Sequence, residues 1–421
     1  MIETFEIFPG IILRCFPDMR FKQSRLSIQL VRPMCREENA LNALLPAILL
    51  RGTECYPDLQ AITRKLDDLY GAGVGTLVRR VGDYQTTGFS CAFLDDRFSL
   101  DGEPVLEPMT QLLRELLFCP LLEDGGFNRD FVESEKKNLI AAIEAQRNDK
   151  RQYAASRLVH HMCKADSFGV SRLGEAEQVS RITPQALYDH YKKILKESPV
   201  EIFYVGAAEP ELVKEKMQAL FAGLDRALIP AAAQTDFQDA GAGSYEEQLD
   251  IAQGKLCMGF VTPITLRSDR FAVMQVLNTL FGGGMTSKLF MQIRERDALC
   301  YDISSAYHGS KGIMTVAAGI DFDKMESVQQ QVLDALQQCC REQVTEAELN
   351  SAKQALLSSL RTTHDSPGAI ESYYATAALS GLGLTPEAYM EKVRQVDIAQ
   401  VAEAARTVKL HTVFSLRGVG V

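Results

Sequence analysis

The second half of this chain repeats the first, segment by segment and in the same order, and that duplication limits what it can fold into. Lys255-Leu256-Cys257-Met258-Gly259-Phe260-Val261 echoes Arg25-Leu26-Ser27-Ile28-Gln29-Leu30-Val31. Glu135-Lys136-Lys137-Asn138-Leu139-Ile140 resembles Ala352-Lys353-Gln354-Ala355-Leu356-Leu357. Val179-Ser180-Arg181-Ile182-Thr183 resembles Val393-Arg394-Gln395-Val396-Asp397, where Thr183 and Asp397 are both helix N-cap residue types. Chance likeness between amphipathic helices would not keep several such segments in order at a near-constant offset. Within the first copy, residues 25–31 and 85–93 read as strands, while 58–70 carries Leu59, Ile62, Leu66 and Leu69 at helical spacing. Thr183 followed by Pro184 is a helix start, with an N-cap hydroxyl and proline at the first position. The fold class read from this is α+β, with two homologous domains, each a mostly antiparallel sheet with helices packed on one face. The expected boundaries are 1–224 and 244–421. The linker between them, 225–243, is rich in Ala, Gly, Gln and Asp and includes Ile229-Pro230-Ala231-Ala232-Ala233-Gln234.

Bulk properties agree with a two-domain soluble protein. A chain of 421 residues exceeds the size at which one core keeps growing. Its net charge is −10 and no segment is a run of Lys and Arg, so nucleic acid is not an expected partner. The first residues lack a basic stretch followed by an apolar core, so no secretory signal is read, and no run of about twenty apolar residues suggests a membrane span. The ten cysteines form no C-x-x-C pair. They fit reduced thiols in a cytoplasmic protein better than a zinc cluster or a disulfide framework.

The second copy contains the most distinctive stretch: Gly282, Gly283 and Gly284, then Met285-Thr286-Ser287-Lys288-Leu289-Phe290, with Arg294 and Tyr301 beyond. It lacks the strand context and spacing of a phosphate-binding loop or a dinucleotide fingerprint. The three glycines free the backbone for positive φ and for close approach to another surface. They separate a helical run, 271–280, from a second, 287–295, and Tyr301 opens a strand. Arg294 and Tyr301 therefore present a guanidinium and a phenol across a helix-to-strand turn, a pair able to hold a peptide carbonyl or an oxyanion. The same spacing also fits a plain structural joint with a surface Arg and a half-buried Tyr.

A duplicated α+β unit with this G-G-G-M-T-S-K-L-F…R…Y segment, together with the Arg51-Gly52-Thr53 turn, resembles the insulinase-like zinc peptidases. These are the inverzincins, a family that includes pitrilysin and mitochondrial processing peptidase, and the resemblance covers nearly the whole chain. It implies a chamber between paired halves and a zinc site on a first-half helix. That helix reads H-x-x-E-H just before a Lys/Arg-Gly-Thr turn, and a third, glutamate ligand lies on a later helix. Two His one turn apart face one metal, and the Glu between them activates the bound water. Here the matching positions are Ala43, Ala47 and Pro46, and the third ligand position is Ala142. Glu144 lies about 200° round the helix from Ala142. No H-x-x-E-H or H-E-x-x-H occurs anywhere in the chain. Of the six histidines, His160 and His161 are adjacent and diverge by about 100° on a helix, which leaves a His161/Cys163 pair as the other conceivable metal site.

The resemblance thus implies a non-catalytic, zinc-free bacterial member with no cofactor of its own. Zinc is expected only on a homologous partner subunit. Gly282, Gly283 and Gly284 would form substrate-binding surface, and Arg294 and Tyr301 would support catalysis in trans. The expected partners are that zinc-bearing subunit in a heterodimer, a second copy of this chain when isolated, and a peptide or protein substrate. The alternatives are a metal-independent peptide clamp, a purely architectural subunit, and an active metalloendopeptidase with relocated ligands.

Overall fold

Strand order carries the duplication into three dimensions. The computed structural model describes residues 2–231 and 236–419. The first copy begins with β1 (Glu3–Phe8), β2 (Ile11–Pro17) and β3 (Gln23–Pro33), then α1 (Asn39–Leu49), α2 (Leu59–Asp68), β4 (Gly73–Val81) and β5 (Tyr84–Leu94). After α3 (Leu106–Phe118) come a two-stranded hairpin, β6 (Leu122–Glu123) with β7 (Gly126–Phe127), and helices α4 (Arg129–Ala145), α5 (Lys150–Met162), α6 (Ala176–Ser180) and α7 (Pro184–Glu197). Strand β8 (Val200–Gly206) and α8 (Pro210–Phe221) complete it. The second copy runs β9 (Gly243–Leu249), β10 (Gly254–Val261), α9 (Phe271–Gly282), a π-helix (Phe290–Arg296), β11 (Cys300–His308) and β12 (Ile313–Ile320). Helices α10 (Met325–Cys340), α11 (Glu346–Arg361), α12 (Pro367–Ser380), α13 (Pro386–Arg394) and α14 (Ile398–Thr407) precede the last strand, β13 (Lys409–Gly418).

The first sheet is ordered β1-β2-β8-β3-β5-β4, and the second, read from its far edge, β9-β13-β10-β12-β11. From β2 onward the two orders correspond strand for strand. Each sheet contains one parallel pair, β2 with β8 and β9 with β13, at the same place, and its other pairs are antiparallel. The helix starts correspond too. Thr183 Oγ1 accepts from the amide of Ala186 at 3.2 Å, and Asp397 Oδ1 accepts from that of Gln400 at 2.8 Å, as N-caps of α7 and α14.

The chain divides into two compact units that are not the contiguous halves 1–224 and 244–421. The first comprises Met1–Glu144, Ser171–Ala233 and His364–Thr376, and the second Ala145–Val170, Gln234–Thr363 and Ala377–Val421. Two short segments thus join the unit built mainly by the other half, and each supplies a helix to the second face of a sheet. In the second unit, Ala154 and Leu158 of α5 pack with Cys257, Phe414 and Leu416. Gly259 makes room there, since a Cβ would lie 2.5 Å from Met162 Sδ. In the first unit, Glu371 of α12 is fully buried over β3 and β4. Its carboxylate accepts from Ser27 Oγ (2.7 Å), Gln29 Nε2 (3.0 Å) and both terminal nitrogens of Arg79 (2.8 Å each). A carboxylate withdrawn from water requires such partners.

Residues 232–235 of the expected linker lie outside the described residues. What flanks them is pinned, not free. The amides of Ala227 and Ile229 donate to the carbonyls of Lys196 and Glu197. Gln238 N donates to Asp166 Oδ2 at 2.9 Å, beside the buried Lys311–Asp166 ion pair (3.1 Å). His411 Nε2 lies 2.8 Å from Asp239 Oδ1.

Candidate functional site

In the first unit, α1 runs through Pro46 without a break, although a proline there removes one helical hydrogen bond. The carbonyl this orphans belongs to Asn42, four residues earlier, and Thr87 Oγ1 of β5 donates to it at 2.7 Å. The disturbance expected from Pro46 is therefore absorbed by a hydroxyl from the sheet. The Asn42 side chain extends the same network. Its Nδ2 donates to Gln85 Oε1 (2.9 Å), and its Oδ1 lies 2.7 Å from His190 Nε2. Gln85 Nε2 donates onward to the carbonyls of Asn39 (3.0 Å) and Arg172 (2.6 Å). Burial pushes the His190 imidazole down to about 4, so it is neutral at pH 7.

Helices α1 and α4, strand β4 and residues 172–173 line an open pocket of about 300 Å³. Ala43, Ala47 and Ala142, the three positions matched to metal ligands, all line it. The structure thus brings together residues that sequence alone could only align, and what they bring is methyl groups. Glu135 also lines the cavity, but its carboxylate is engaged. Oε1 accepts from Arg51 Nη1 at 3.2 Å and Oε2 from Asn138 Nδ2 at 3.1 Å. Three alanines offer no donor to a cation, so these residues do not fit a zinc ion. Gly52 of the Arg51-Gly52-Thr53 turn is fixed by space, since a Cβ would lie 2.6 Å from the carbonyl oxygen of Pro57. Among the described residues no three His, Cys, Asp or Glu side chains are grouped to hold a metal. His161 and Cys163 do not form a site. Cys163 is fully buried, while His161 stacks on Tyr245 at 4.1 Å and lies 3.2 Å from Arg157 Nη2.

In the second unit, none of Gly282, Gly283 and Gly284 has positive φ. Close approach requires Gly282 and Gly283 instead. A Cβ on Gly282 would lie 2.7 Å from Ser305 Oγ of β11, and one on Gly283 would lie 2.7 Å from Thr279 Cα, while Gly284 faces open space. Lys288 is buried and donates to Glu348 Oε1 at 2.7 Å, which anchors the segment to α11. The second helical run, expected over 287–295, is wound as a π-helix over Phe290–Arg296. Arg294 sits on its last turn with its guanidinium 4.5 Å from the centre of the Phe290 ring and 3.8 Å from Glu295.

Tyr301 is the extra residue of a β-bulge. Cys300 pairs with Ile320 and Asp302 with Gly319, leaving Tyr301 unpaired and 60% exposed on the edge strand β11. Its hydroxyl donates to Asp321 Oδ1 at 3.1 Å, and that bond raises the phenol's pKa. Lys324 Nζ holds the other oxygen of Asp321 at 2.8 Å. Both side chains therefore rest on irregular backbone, where π-turns and bulges re-aim side chains. Each makes its contacts with its own neighbours, Arg294 with Phe290 and Glu295 and Tyr301 with Asp321. Exposed Met285 and Met291 precede them in sequence. Sequence reasoning did not single out Asp321 or Thr87. Only an acidic residue opposite a tyrosine in a later strand could have signalled Asp321.

Residues 181–356 match the family described as "Peptidase M16 inactive domain". Among curated proteins, the chain is similar to the "Probable inactive metalloprotease YmfF" of Bacillus subtilis, with 28% identity over 411 residues, 97% of this chain and 96% of that one. It is also similar to an "Uncharacterized zinc protease" of Rickettsia bellii, with 23% identity over 303 residues, 69% of this chain and 71% of that one. Among solved structures, a conserved protein from Enterococcus faecalis superimposes with a TM-score of 0.92 at 26% identity, covering 99% of this chain and 98% of that one. A peptidase M16 inactive domain from Pseudomonas fluorescens gives 0.82 at 19% identity, covering 100% and 98%. At that identity the second likeness speaks to fold alone. No helix among the described residues is long and apolar enough to cross a membrane.

Proposed function

This chain is an inactive homologue of the insulinase-like M16 peptidases, and from that premise we propose that it is the zinc-free partner subunit of a two-subunit processing peptidase. A homologous subunit carries the metal, and this chain supplies substrate-holding surface at Gly282, Gly283 and Gly284 and the Arg294/Tyr301 pair in trans. The observation that carries this reading is the convergence of Ala43, Ala47 and Ala142 on one cavity. The scaffold that would aim three ligands at a point is kept, and the ligands are gone. The second unit keeps a guanidinium and a phenol hydroxyl on surface positions. Arg294 would orient the substrate backbone, and Tyr301, on exchanging Asp321 for substrate, would donate to the oxygen that gains charge at the partner's centre. The chain works in the cytoplasm in this reading and self-associates when its partner is missing.

The test is to mix the chain with a homologue that bears H-x-x-E-H. Peptide hydrolysis is expected from the mixture, with this chain alone inert. Arg294→Ala or Tyr301→Phe is expected to lower kcat of the mixture by about tenfold or more without changing the affinity of the two subunits. Unchanged turnover in both variants contradicts the in-trans role. A second reading, a metal-independent peptide clamp, is favoured by one observation: the Tyr301 hydroxyl is already engaged by Asp321. Binding of unfolded peptide by the chain alone, with no cleavage in any mixture, would establish it.

A further inference from the structure

Resting on the reading that this chain holds peptide, we propose that a pocket in the second unit binds the free C-terminal carboxylate of a peptide that ends in an aliphatic residue. The pocket lies between the loop that leads into α9, the turn that follows α12, and α13. Its volume is about 160 Å³, well beyond what a lone water needs. Arg267 and Lys392 both line it, against a single carboxylate, Asp269, so its wall carries a net positive charge. Leu266, Leu382 and Leu384 supply the apolar part of that wall. A peptide C-terminus has the matching parts in one residue: an anion for the two cations and a hydrocarbon side chain for the leucines. A free inorganic anion would use the cations and leave the leucines uncovered.

The duplication shows what sets this pocket apart, because the matching joint in the first copy is closed. There Asn39, the first residue of α1, donates from Nδ2 to the Ser171 carbonyl at 2.8 Å. Gln178, just before the Val179–Thr183 segment, donates from Nε2 to the Arg36 carbonyl at 3.0 Å and accepts from the Glu175 amide at 2.9 Å. In the second copy Phe271 begins α9, and Lys392 precedes the matching Val393–Asp397 segment. Phe271 has no side-chain donor, and an ammonium cannot accept, so neither closing bond can form. Lys392 is half-buried and makes no hydrogen bond or ion pair among the described residues. A half-buried ammonium in that state is stabilised by an incoming anion. Arg267 stands beside the turn, with its Nε 3.6 Å from the place a Cβ on Gly381 would take. The walls are already ordered. The Leu266 amide donates to the Gly309 carbonyl at 2.8 Å, that of Arg270 to Ser268 Oγ at 3.2 Å, and that of Gly381 to the Ala377 carbonyl at 3.1 Å. Little ordering remains for a ligand to impose.

The probe is a short peptide with a fluorescent N-terminal label and a C-terminal Leu, titrated by anisotropy into the full chain as the free acid and as the C-terminal amide. The amide is expected to bind about tenfold more weakly. Lys392→Gln, which copies the first half of the chain at this position, is expected to abolish that difference, and Arg267→Gln to reduce it. Equal affinity of acid and amide, no binding of either, or an undiminished acid preference in both variants with wild-type thermal unfolding overturns the proposal. So does inorganic phosphate that displaces the acid at concentrations as low as the peptide itself requires, which would assign the pocket to free anions. The comparison of acid with amide needs neither a partner nor a variant. Equal affinities alongside normal activation of a zinc-bearing homologue remove this subsite and spare the partner reading. A clear acid preference without any activation does the reverse.

Discussion

Ala43, Ala47 and Ala142 stand at the positions that the family resemblance matches to metal ligands, and His190 shows how their surroundings are built. Its neutral imidazole lies against Asn42 on the helix that holds two of those alanines. An ordinary histidine titrates near 6.5, whereas here burial, partly opposed by the nearby Glu38 carboxylate, pushes the group down to about 4. Below about 6.5 the unfolded chain takes up a proton that the folded chain refuses. Stability is therefore full above that pH and falls as pH drops toward about 4. Between pH 7 and pH 5 the loss attributable to His190 is about 2 kcal/mol. Urea midpoints at the two pH values, in the wild type and in His190→Gln, measure it. The variant should show a shallower pH dependence; an identical slope would mean the histidine is not the cause. At this scale the positions of the alanines were legible but their company was not, because Thr87, Gln85 and His190 reach Asn42 only through the tertiary fold.

At the scale of the element, α1 is the instructive case. A proline inside a helix reads as a disruption, and here the helix survives because Thr87 replaces the missing backbone donor. Thr87→Val keeps the shape and removes the hydroxyl, leaving the Asn42 carbonyl buried without a partner. The expected cost is about 1–3 kcal/mol. In a Pro46→Ala background the restored amide takes over that carbonyl, and the same substitution should cost about 1 kcal/mol less. Equal costs in the two backgrounds, read from chemical denaturation, would contradict the compensation. Helix starts such as Thr183 and Asp397 were legible because a cap is a local interaction between residues three apart. The π-helix and the bulge at Tyr301 were not. One extra residue in a turn or a strand leaves the apolar pattern of 287–307 almost unchanged, and contacts with other elements decide where it goes. Gly282 and Gly283 were recognised as special for a reason that only half applies, since close packing, not positive φ, requires them.

For the whole molecule, the duplication could be read from three pairs of short segments, and it reappears in the order of the two sheets. The assignment of residues 145–170 and 364–376 to the opposite units could not be read. Which sheet a helix covers depends on small residues such as Gly259, or on a buried carboxylate such as Glu371 finding Arg79, and neither leaves a periodic trace. The fold is that of M16-like peptidases, and the three positions matched by resemblance to metal ligands are alanines lining one pocket. From that we propose a supporting place for the chain beside a metal-bearing homologue. The most direct test is the zinc content of the purified chain after incubation with excess zinc and desalting, measured by elemental analysis. Far less than one zinc per chain is the result this account predicts; one tightly held zinc per chain would contradict it.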